Sequence, residues 1–412
     1  MMRKNVCQDV GHSIVEFGDV RYFFAVAAPR RGTTFRQQAE DVMQTIESLI
    51  QEAGTPLSMV MQSVFLRELN DQTVFRQLLH NHYGKELPAT SYIHQPPCAG
   101  KMLAIEVMGV GPAASEVEIE RAGDGLVVTR HSGITWAHLA NIQGGSAADS
   151  VYDRSLSTFH LAHERLASAG FGFDEVIRTW LYLGDITGPE GESLRYSELN
   201  RARSDYYRKL KFSSGLIPHN CGKPAYPAST GIGALGSDVT ISCIAMKADR
   251  PDIVLAPLEN PRQTSSCDYL HQYGTGRPKF SRAMVVAADN AAMIFISGTA
   301  SITASETRHH DDLKRQTQQT LDNIEALISS DNLRAHGLPD FGSTLGDLAL
   351  VRVYLKRHED YASARTICRA RLGEMPTIYA LGDICRPDLL VEIEGIAFSR
   401  RQSPWSSGDS RE

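Results

Sequence analysis

The chain is expected to fold as an α+β protein built from three tandem copies of one unit. Three observations carry that expectation. The element order β-β-α-β-α-β-β, read from the start of the chain, returns twice. The trios Val64-Phe-Leu66, Leu181-Tyr-Leu183 and Val353-Tyr-Leu355 fall at matching places within it. Apolar residues alternate in some stretches and recur at helical spacing in others, so strands and helices are interleaved along the whole length.

In the first copy, Ser13-Ile-Val-Glu-Phe17 and Val20-Arg-Tyr-Phe-Phe-Ala-Val26 read as two strands around the Gly18-Asp19 turn. Phe35 to Glu52 sets Ala39, Val42, Met43, Ile46, Leu49 and Ile50 on one helical stripe, and Ala53-Gly54 stops it. A strand from Met59 to Arg67, a helix from Gln72 to His82, the tripeptide Pro88-Ala-Thr90 and a strand from Leu103 to Gly109 complete the unit. The second copy has a helix from Ser150 to Ala169, stopped at Gly170. Its strand Val176 to Leu183, helix Ser193 to Leu210, stretch Pro227 to Gly233 and strand Val239 to Ala245 follow. The third has a strand beginning at Phe295, a helix from Asp312 to Ser329, a strand from Leu348 to Leu355, a helix from Tyr361 to Leu372 and a last strand from Leu389 to Phe398. Between copies, Gly111 to Ser132 has strand character with a Gly-Asp-Gly turn at 123–125, and Lys247 to Pro278 is proline-rich and irregular. The expected units are 1–112, 113–250 and 251–400, with a polar, disordered tail over 401–412.

Composition narrows the function classes. With 412 residues, 42% hydrophobic and 22% charged, the chain has the make-up of an ordinary globular protein able to bury a sizeable core. A net charge of −6 provides no basic footprint, so nucleic acid is not an expected partner. No stretch approaches the roughly 18 apolar residues that a membrane helix needs, and the start of the chain has no apolar leader segment, so a cytoplasmic protein without membrane contact is expected. Seven scattered cysteines without a Cys-x-x-Cys pair argue against a disulfide framework and a structural zinc site. His309-His-Asp-Asp312 reads as the polar cap of the helix that follows it, and no metal or other cofactor is expected.

The chemistry concentrates near the C-terminus. From Leu389 to Phe398 bulky apolar residues alternate with Glu392 and Glu394, which places both carboxylates on one strand face, toward solvent or toward a site. Cys385 and Arg386 precede Pro387 on the loop that leads into this strand. Alternation leaves Glu394 either set apart from Glu392 by a bulge or at the rim of a pocket.

The repeat resembles the reactive-intermediate deaminase (Rid, YjgF-like) fold, which usually assembles as a trimer with a site at each subunit junction. Three copies in one chain imply an intrachain pseudo-trimer, hence a monomer or a weak homodimer. The arginine that Rid deaminases carry after Pro-Ala is replaced by Thr90, Ser229 and Ile378, so imine deamination is not expected. The acidic residue of that family's last strand is matched to Glu106 in the first copy and Glu392 in the third, with Thr240 in the second.

A more specific resemblance runs from about Ser132 to Phe398. Arg178-Thr-Trp-Leu-Tyr182, Arg195-Tyr…Arg203, Tyr226-Pro-Ala-Ser-Thr-Gly-Ile-Gly233, Glu259-Asn-Pro-Arg262, Phe295-Ile-Ser-Gly-Thr-Ala-Ser-Ile302 and Asp383-Ile-Cys-Arg-Pro-Asp-Leu-Leu-Val-Glu-Ile-Glu-Gly395 are similar to the chorismatase family. Its members convert chorismate, without a cofactor, to pyruvate and a cyclohexadiene or a hydroxybenzoate. The resemblance implies that Arg203, Tyr269 and Arg282 bind the two substrate carboxylates and that Glu392 is the general acid at the enol ether. It also implies that the product follows two positions, where diene-forming hydrolases carry Ala and hydroxybenzoate formers carry Gly and Cys. Here these are Gly298 and Cys385. The expected activity is conversion of chorismate to 3-hydroxybenzoate and pyruvate, with or without some 4-hydroxybenzoate. Two alternatives stay open: hydrolysis to the dihydroxycyclohexadiene carboxylate, and a non-catalytic Rid-like binding protein.

Overall fold

The computed structural model of the protein describes residues 2–123, 125–213, 215–217, 225–266 and 278–401. The first sheet is made of β1 (Arg3–Cys7), β2 (Val10–Phe17), β3 (Val20–Ala27), β4 (Ser58–Leu66), β5 (Ala89–Ile93) and β6 (Leu103–Pro112), in the order β1-β2-β3-β6-β4-β5. Helices α1 (Phe35–Glu52) and α2 (Asp71–Tyr83) cross over it. The second sheet has β7 (Glu118–Arg121), β8 (Leu126–His131), β9 (Ile134–Ile142) and β10 (Val176–Gly184), with α3 (Val151–Ser168) before β10. The short ladder of β11 (Pro189–Glu190) and β12 (Ser193–Leu194) leads into α4 (Arg195–Tyr207), and β13 (Ala228–Ala234) and β14 (Val239–Ala248) complete the sheet as β13-β10-β14-β9-β8-β7.

The third sheet opens with β15 (Val254–Leu258), β16 (Ala283–Ala288) and β17 (Ala291–Ala300), followed by the small ladder of β18 (Ile302–Thr303) and β19 (Glu306–Thr307). Helices α5 (Leu313–Ile328) and α6 (Ser330–Ala335), strand β20 (Leu348–Leu355), helix α7 (Tyr361–Leu372), β21 (Thr377–Leu381) and β22 (Val391–Arg400) follow, and the order is β15-β16-β17-β22-β20-β21. Read from the matching edge, the three sheets have one strand order. Each contains one parallel pair, β4 with β5, β10 with β13 and β20 with β21.

Local chemistry explains the boundaries. Thr34 closes a capping box with Gln37 at the start of α1, whose buried stripe Ala39, Val42, Ile46 and Leu49 repeats at helical spacing. Asp312 caps α5 by accepting from the Arg315 amide at 3.0 Å. Gly84 and Gly373 end α2 and α7 at φ 54° and 73°, a backbone region that other residues enter only at a cost.

Each sheet packs its own helices on one face, in three separate apolar clusters. The opposite faces meet in one central core that includes Phe24, Phe65, Trp136, Trp180, Tyr182, Phe295 and Tyr354. Apolar side chains buried this fully contribute roughly 1.5–3 kcal/mol apiece, so the meeting of the sheets is itself a major source of stability.

Three features depart from expectation. A strand, β15, lies inside the stretch read as irregular; its Pro257 hid a run that pairs antiparallel with β16 from the sheet edge, where a missing N–H is tolerated. Polar Arg3–Cys7 also forms an edge strand, and Ala89–Ile93 is a full strand where only a tripeptide stood out. Strands β7 and β8 pair antiparallel, with the Leu126 amide donating to the Gly123 carbonyl at 2.9 Å; Asp124 of the expected turn lies outside the described residues, as does the tail from 402. Among the described residues no helix is long and apolar enough to cross a membrane.

Candidate active site at the meeting of the second and third sheets

Glu392 and Glu394 both point inward from β22, and at 4% and 3% exposure neither faces solvent. Across the ladder Glu392 stands opposite Tyr354 and Glu394 opposite Arg352. On the other side of β22 the register with β17 slips between Ile296 and Thr299, so that Ser297 and Gly298 together face Glu394. The bulge is therefore on β17; along β22 the pairing with β20 runs unbroken from Glu392 to Glu394, so no bulge sets the two carboxylates apart and both share one face. Glu394 lies in the interior of a polar cluster, which removes the alternative that it sits at a pocket rim.

That cluster joins all three sheets. Glu394 accepts from Trp180 Nε1 at 2.9 Å, from Tyr354 Oη at 3.0 Å, and from Thr230 Oγ1 and Arg178 Nη2. Arg352 lies 3.1 Å from the Glu394 carboxylate, and donates to Tyr182 Oη at 3.1 Å and Ser63 Oγ at 2.9 Å. Its fork also closes on Glu106 of the first sheet at 2.7 and 2.6 Å, the bidentate geometry in which guanidinium and carboxylate bind best. Both guanidiniums lie over the Trp180 ring, at 4.5 and 5.2 Å from its centroid.

The two carboxyls titrate in opposite directions. Burial pushes Glu392 up to about 8, the charge of Glu394 adds to the rise, and Arg178 and Arg282 oppose it. Burial also acts on Glu394, but Arg178, Arg352 and the hydrogen bonds from Thr230 and Trp180 outweigh it and hold that carboxyl below its usual range. On one strand face burial thus favours the protonated form of Glu392, while the guanidiniums favour the ionised form of Glu394. Among the described residues no side-chain hydrogen bond to the Glu392 carboxyl is formed.

Gly298 sits directly against this acid. A Cβ added there would collide with Glu392 Oε1 and come within 3.0 Å of Thr230 Cγ2, while the Gly298 amide donates to Thr230 Oγ1 at 2.9 Å. Cys385 is partly buried; burial, aided by the charge of Glu392, pushes its thiol up to about 12. Arg386, its neighbour, is turned to the Ser305 carbonyl at 2.9 Å.

Arg203, from the buried face of α4, donates to Asn200 Oδ1 and reaches Ser229 Oγ at 3.4 Å. Arg282 donates to the Thr264 carbonyl at 3.0 Å. Both lie over the Phe280 ring, at 5.9 and 5.1 Å. The seam between the sheets is stitched by hydroxyls: Thr179 Oγ1 donates to Ser229 Oγ, the Ser229 amide to Ser297 Oγ, and Ser297 Oγ to the Ser281 carbonyl, at 2.9, 2.9 and 2.6 Å. Tyr196 of α4 closes one side, its hydroxyl pushed up by burial and by Cys385. Five of the six expected site residues, Glu392, Cys385, Arg203, Arg282 and Gly298, are thus gathered around one seam. Tyr269 lies outside the described residues, as does Tyr273 to Arg277.

Sequence reasoning assigned no role to Arg178, Arg352, Tyr196 or Trp180. The available signal was a lone guanidinium in each of two otherwise apolar strands, Val176–Gly184 and Leu348–Leu355, since a charge at a core position must be paired. The ladder also corrects one assignment. Glu106 stands opposite Ser63 just as Glu394 stands opposite Arg352, whereas the places matching Glu392 are Ala104, opposite Phe65, and Thr240, opposite Tyr182. Glu106 is the counterpart of Glu394. Among the described residues no group of histidine, cysteine and acidic side chains is placed to hold a metal ion; His310 instead lies 3.2 Å from the Asp388 carboxylate.

No protein-family model matches the chain. It is 36% identical over 232 residues to a 3-hydroxybenzoate synthase from Streptomyces hygroscopicus, a match covering 55% of this chain and 64% of that relative's length. It is 33% identical over 279 residues to a chorismatase from Streptomyces rapamycinicus, covering 65% of this chain and 77% of the relative. A crystal structure of a chorismatase superposes with a TM-score of 0.63 at 22% identity, over 93% of this chain and all of that one, so the shared fold extends across the first sheet as well. With a third of positions identical over more than three quarters of a chorismatase, the chain belongs to the chorismatase family.

Proposed function

We propose that the protein converts chorismate to 3-hydroxybenzoate and pyruvate without a cofactor. The observation that carries this reading is the buried Glu392 carboxyl held against Gly298, raised to about 8 by burial and within reach of the charges of Arg178 and Arg282. An enol ether needs a proton on its methylene carbon before its oxygen can leave, and a carboxyl raised to about 8 still holds one near neutral pH. Chorismate brings two carboxylates, which Arg203 and Arg282, with Tyr269, are suited to receive. In support, Arg178 Nη1 and Arg203 Nε are buried N–H donors with no acceptor among the described residues.

In this reading Glu392 gives its proton to the methylene carbon, leaving an oxocarbenium. The neighbouring ring hydroxyl attacks the ring carbon that bears the ether. That carbon–oxygen bond breaks, its electron pair goes to the departing pyruvate, and the hydroxyl proton is released. The released proton restores Glu392, and this step leaves an oxirane across the two ring carbons. Its bond to the carbon that carried the hydroxyl then breaks, the former ether carbon loses its hydrogen as a proton and the oxygen kept there takes one up, so the ring aromatises to the 3-hydroxy product and no water is consumed. Cys385, protonated and weakly hydrogen-bonding, lines the wall where a hydrolytic water would otherwise stand.

The three sheets are read as three Rid-like units, 1–112, 113–250 and 251–400, that form an intrachain pseudo-trimer and act as a monomer; the repeated strand order supports this. Cys7, Cys98, Cys243, Cys368 and Cys385 are free thiols, in keeping with work in the cytoplasm. The deciding experiment is incubation of the purified protein with chorismate and chromatographic identification of the product. 3-Hydroxybenzoate with equimolar pyruvate is expected. A diene product would make it a hydrolase, and no turnover would leave a binding protein.

A further inference from the structure

The described charged and polar groups that border Glu392 come from the second and third sheets, yet the first sheet sends one carboxylate into the cluster behind it. Glu106, 6% exposed, accepts from Nε and Nη2 of Arg352, and Arg352 Nη1 in turn touches Glu394. Arg178 closes the row on the other side of Glu394. Two carboxylates and two guanidiniums therefore balance in a buried row that crosses all three sheets, and none of the four charges is left over.

We propose that Glu106 is a positioning residue for the acid. By neutralising Arg352 it leaves no surplus guanidinium on Glu394, whose negative charge helps Glu392 keep its proton, and through that bond the N-terminal sheet takes part in the reaction. The proposal rests on the assignment of Glu392 as the proton donor. The other groups that face or border Glu392 are Glu394 on its own strand, Arg178 from β10, Arg282 ahead of β16, Tyr354 from β20, Tyr196 from α4, and Cys385 with Arg386 from the loop before β22. All of these remain when Glu106 is changed.

The sign follows from charge counting. Glu106→Gln keeps the shape and most hydrogen bonds but leaves Arg352 uncompensated, so the row gains a positive charge and Glu392 ionises more easily. Arg352→Gln leaves Glu106 uncompensated and makes Glu392 harder to ionise. The double change restores the balance. Opposite shifts that cancel in the double variant are not what a merely structural role would produce.

The test is the pH dependence of kcat on chorismate, together with an infrared titration of the carboxylic-acid C=O band assigned to Glu392 by its loss in Glu392→Gln. The high-pH limb and the band should move down by about one pH unit in Glu106→Gln and up by a similar amount in Arg352→Gln. Both should return to the wild-type position in the double variant. Removing one partner of a buried pair strains folding, so either single variant that folds is enough to read the sign. Unshifted limbs and bands, shifts of one sign in both single variants, or loss of folding in both would assign the row to structure alone and overturn the proposal. If wild-type protein did not act on chorismate, the band titration would still report on Glu106, separating this proposal from the substrate assignment.

Discussion

Glu392 and Glu394 are two residues apart on one strand and differ in state because only one of them has guanidinium partners in bonding distance. Replacing Glu392 by Gln retains size and removes the transferable proton, so turnover should fall by roughly 10²–10⁴-fold in a steady-state assay. The same variant makes a thermodynamic prediction. A carboxyl raised on folding from 4.5 to about 8 favours the folded state fully below the unfolded value, and that contribution is lost as pH rises through the window between the two. Glu392→Gln has no such titration. Its melting temperature should therefore gain on the wild type between about pH 5 and pH 8. A constant gap across that range would show that Glu392 is ionised in the folded protein. In the wild type, kcat should decline above about pH 8 as the acid loses its proton. At this scale the acid, the thiol and the glycine were legible because they stand in recognisable strings. Their electrostatic partners were not, because Arg178, Arg352 and Glu106 lie far apart in sequence and meet only through folding.

The bulge in β17 is the element that sets the acid's position. It turns the Gly298 amide onto Thr230 and leaves the space a side chain would fill to the Glu392 carboxyl. The room that Gly298 leaves is taken by the acid itself. Gly298→Ala should rotate the far end of Glu392 and leave the fold intact, because the clash falls on a flexible terminus. Combined with Cys385→Ala, which opens the opposite wall, it should lower the aromatic product and raise the diene fraction, with Cys385→Ala alone giving part of the effect. Product ratios by chromatography decide this. A double variant that still released only 3-hydroxybenzoate at full rate would reduce both residues to packing. Helices and central strands were readable from period alone. Edge strands such as β1 and β15 were not, since one side of an edge strand is free of ladder bonds and its composition is correspondingly loose.

Across the molecule the repeated strand order was legible from the apolar trios, and the differing residues Glu106, Thr240 and Glu392 already implied unequal seams, but not how widely each one opens. The seam between the first and second sheets keeps a cleft of about 410 Å³ lined by Arg76, His80, Tyr92 and Arg165. The seam between the third and the first narrows to about 20 Å³, beside an Asp9–Arg365 bridge at 3.0 Å. With all three sheets supplied by one chain, light scattering should return the mass of a single chain at micromolar concentration. An obligate trimer that persists after removal of residues 1–112 would contradict this. The matching ladder places hold Ala104, Thr240 and Glu392. In a ring of identical subunits any substitution appears at every interface at once, so a residue that serves one seam must be tolerable in all of them. Covalent linkage of the units removes that constraint: a costly buried acid is carried once, and the other two positions are free to hold an inert methyl group and a hydroxyl.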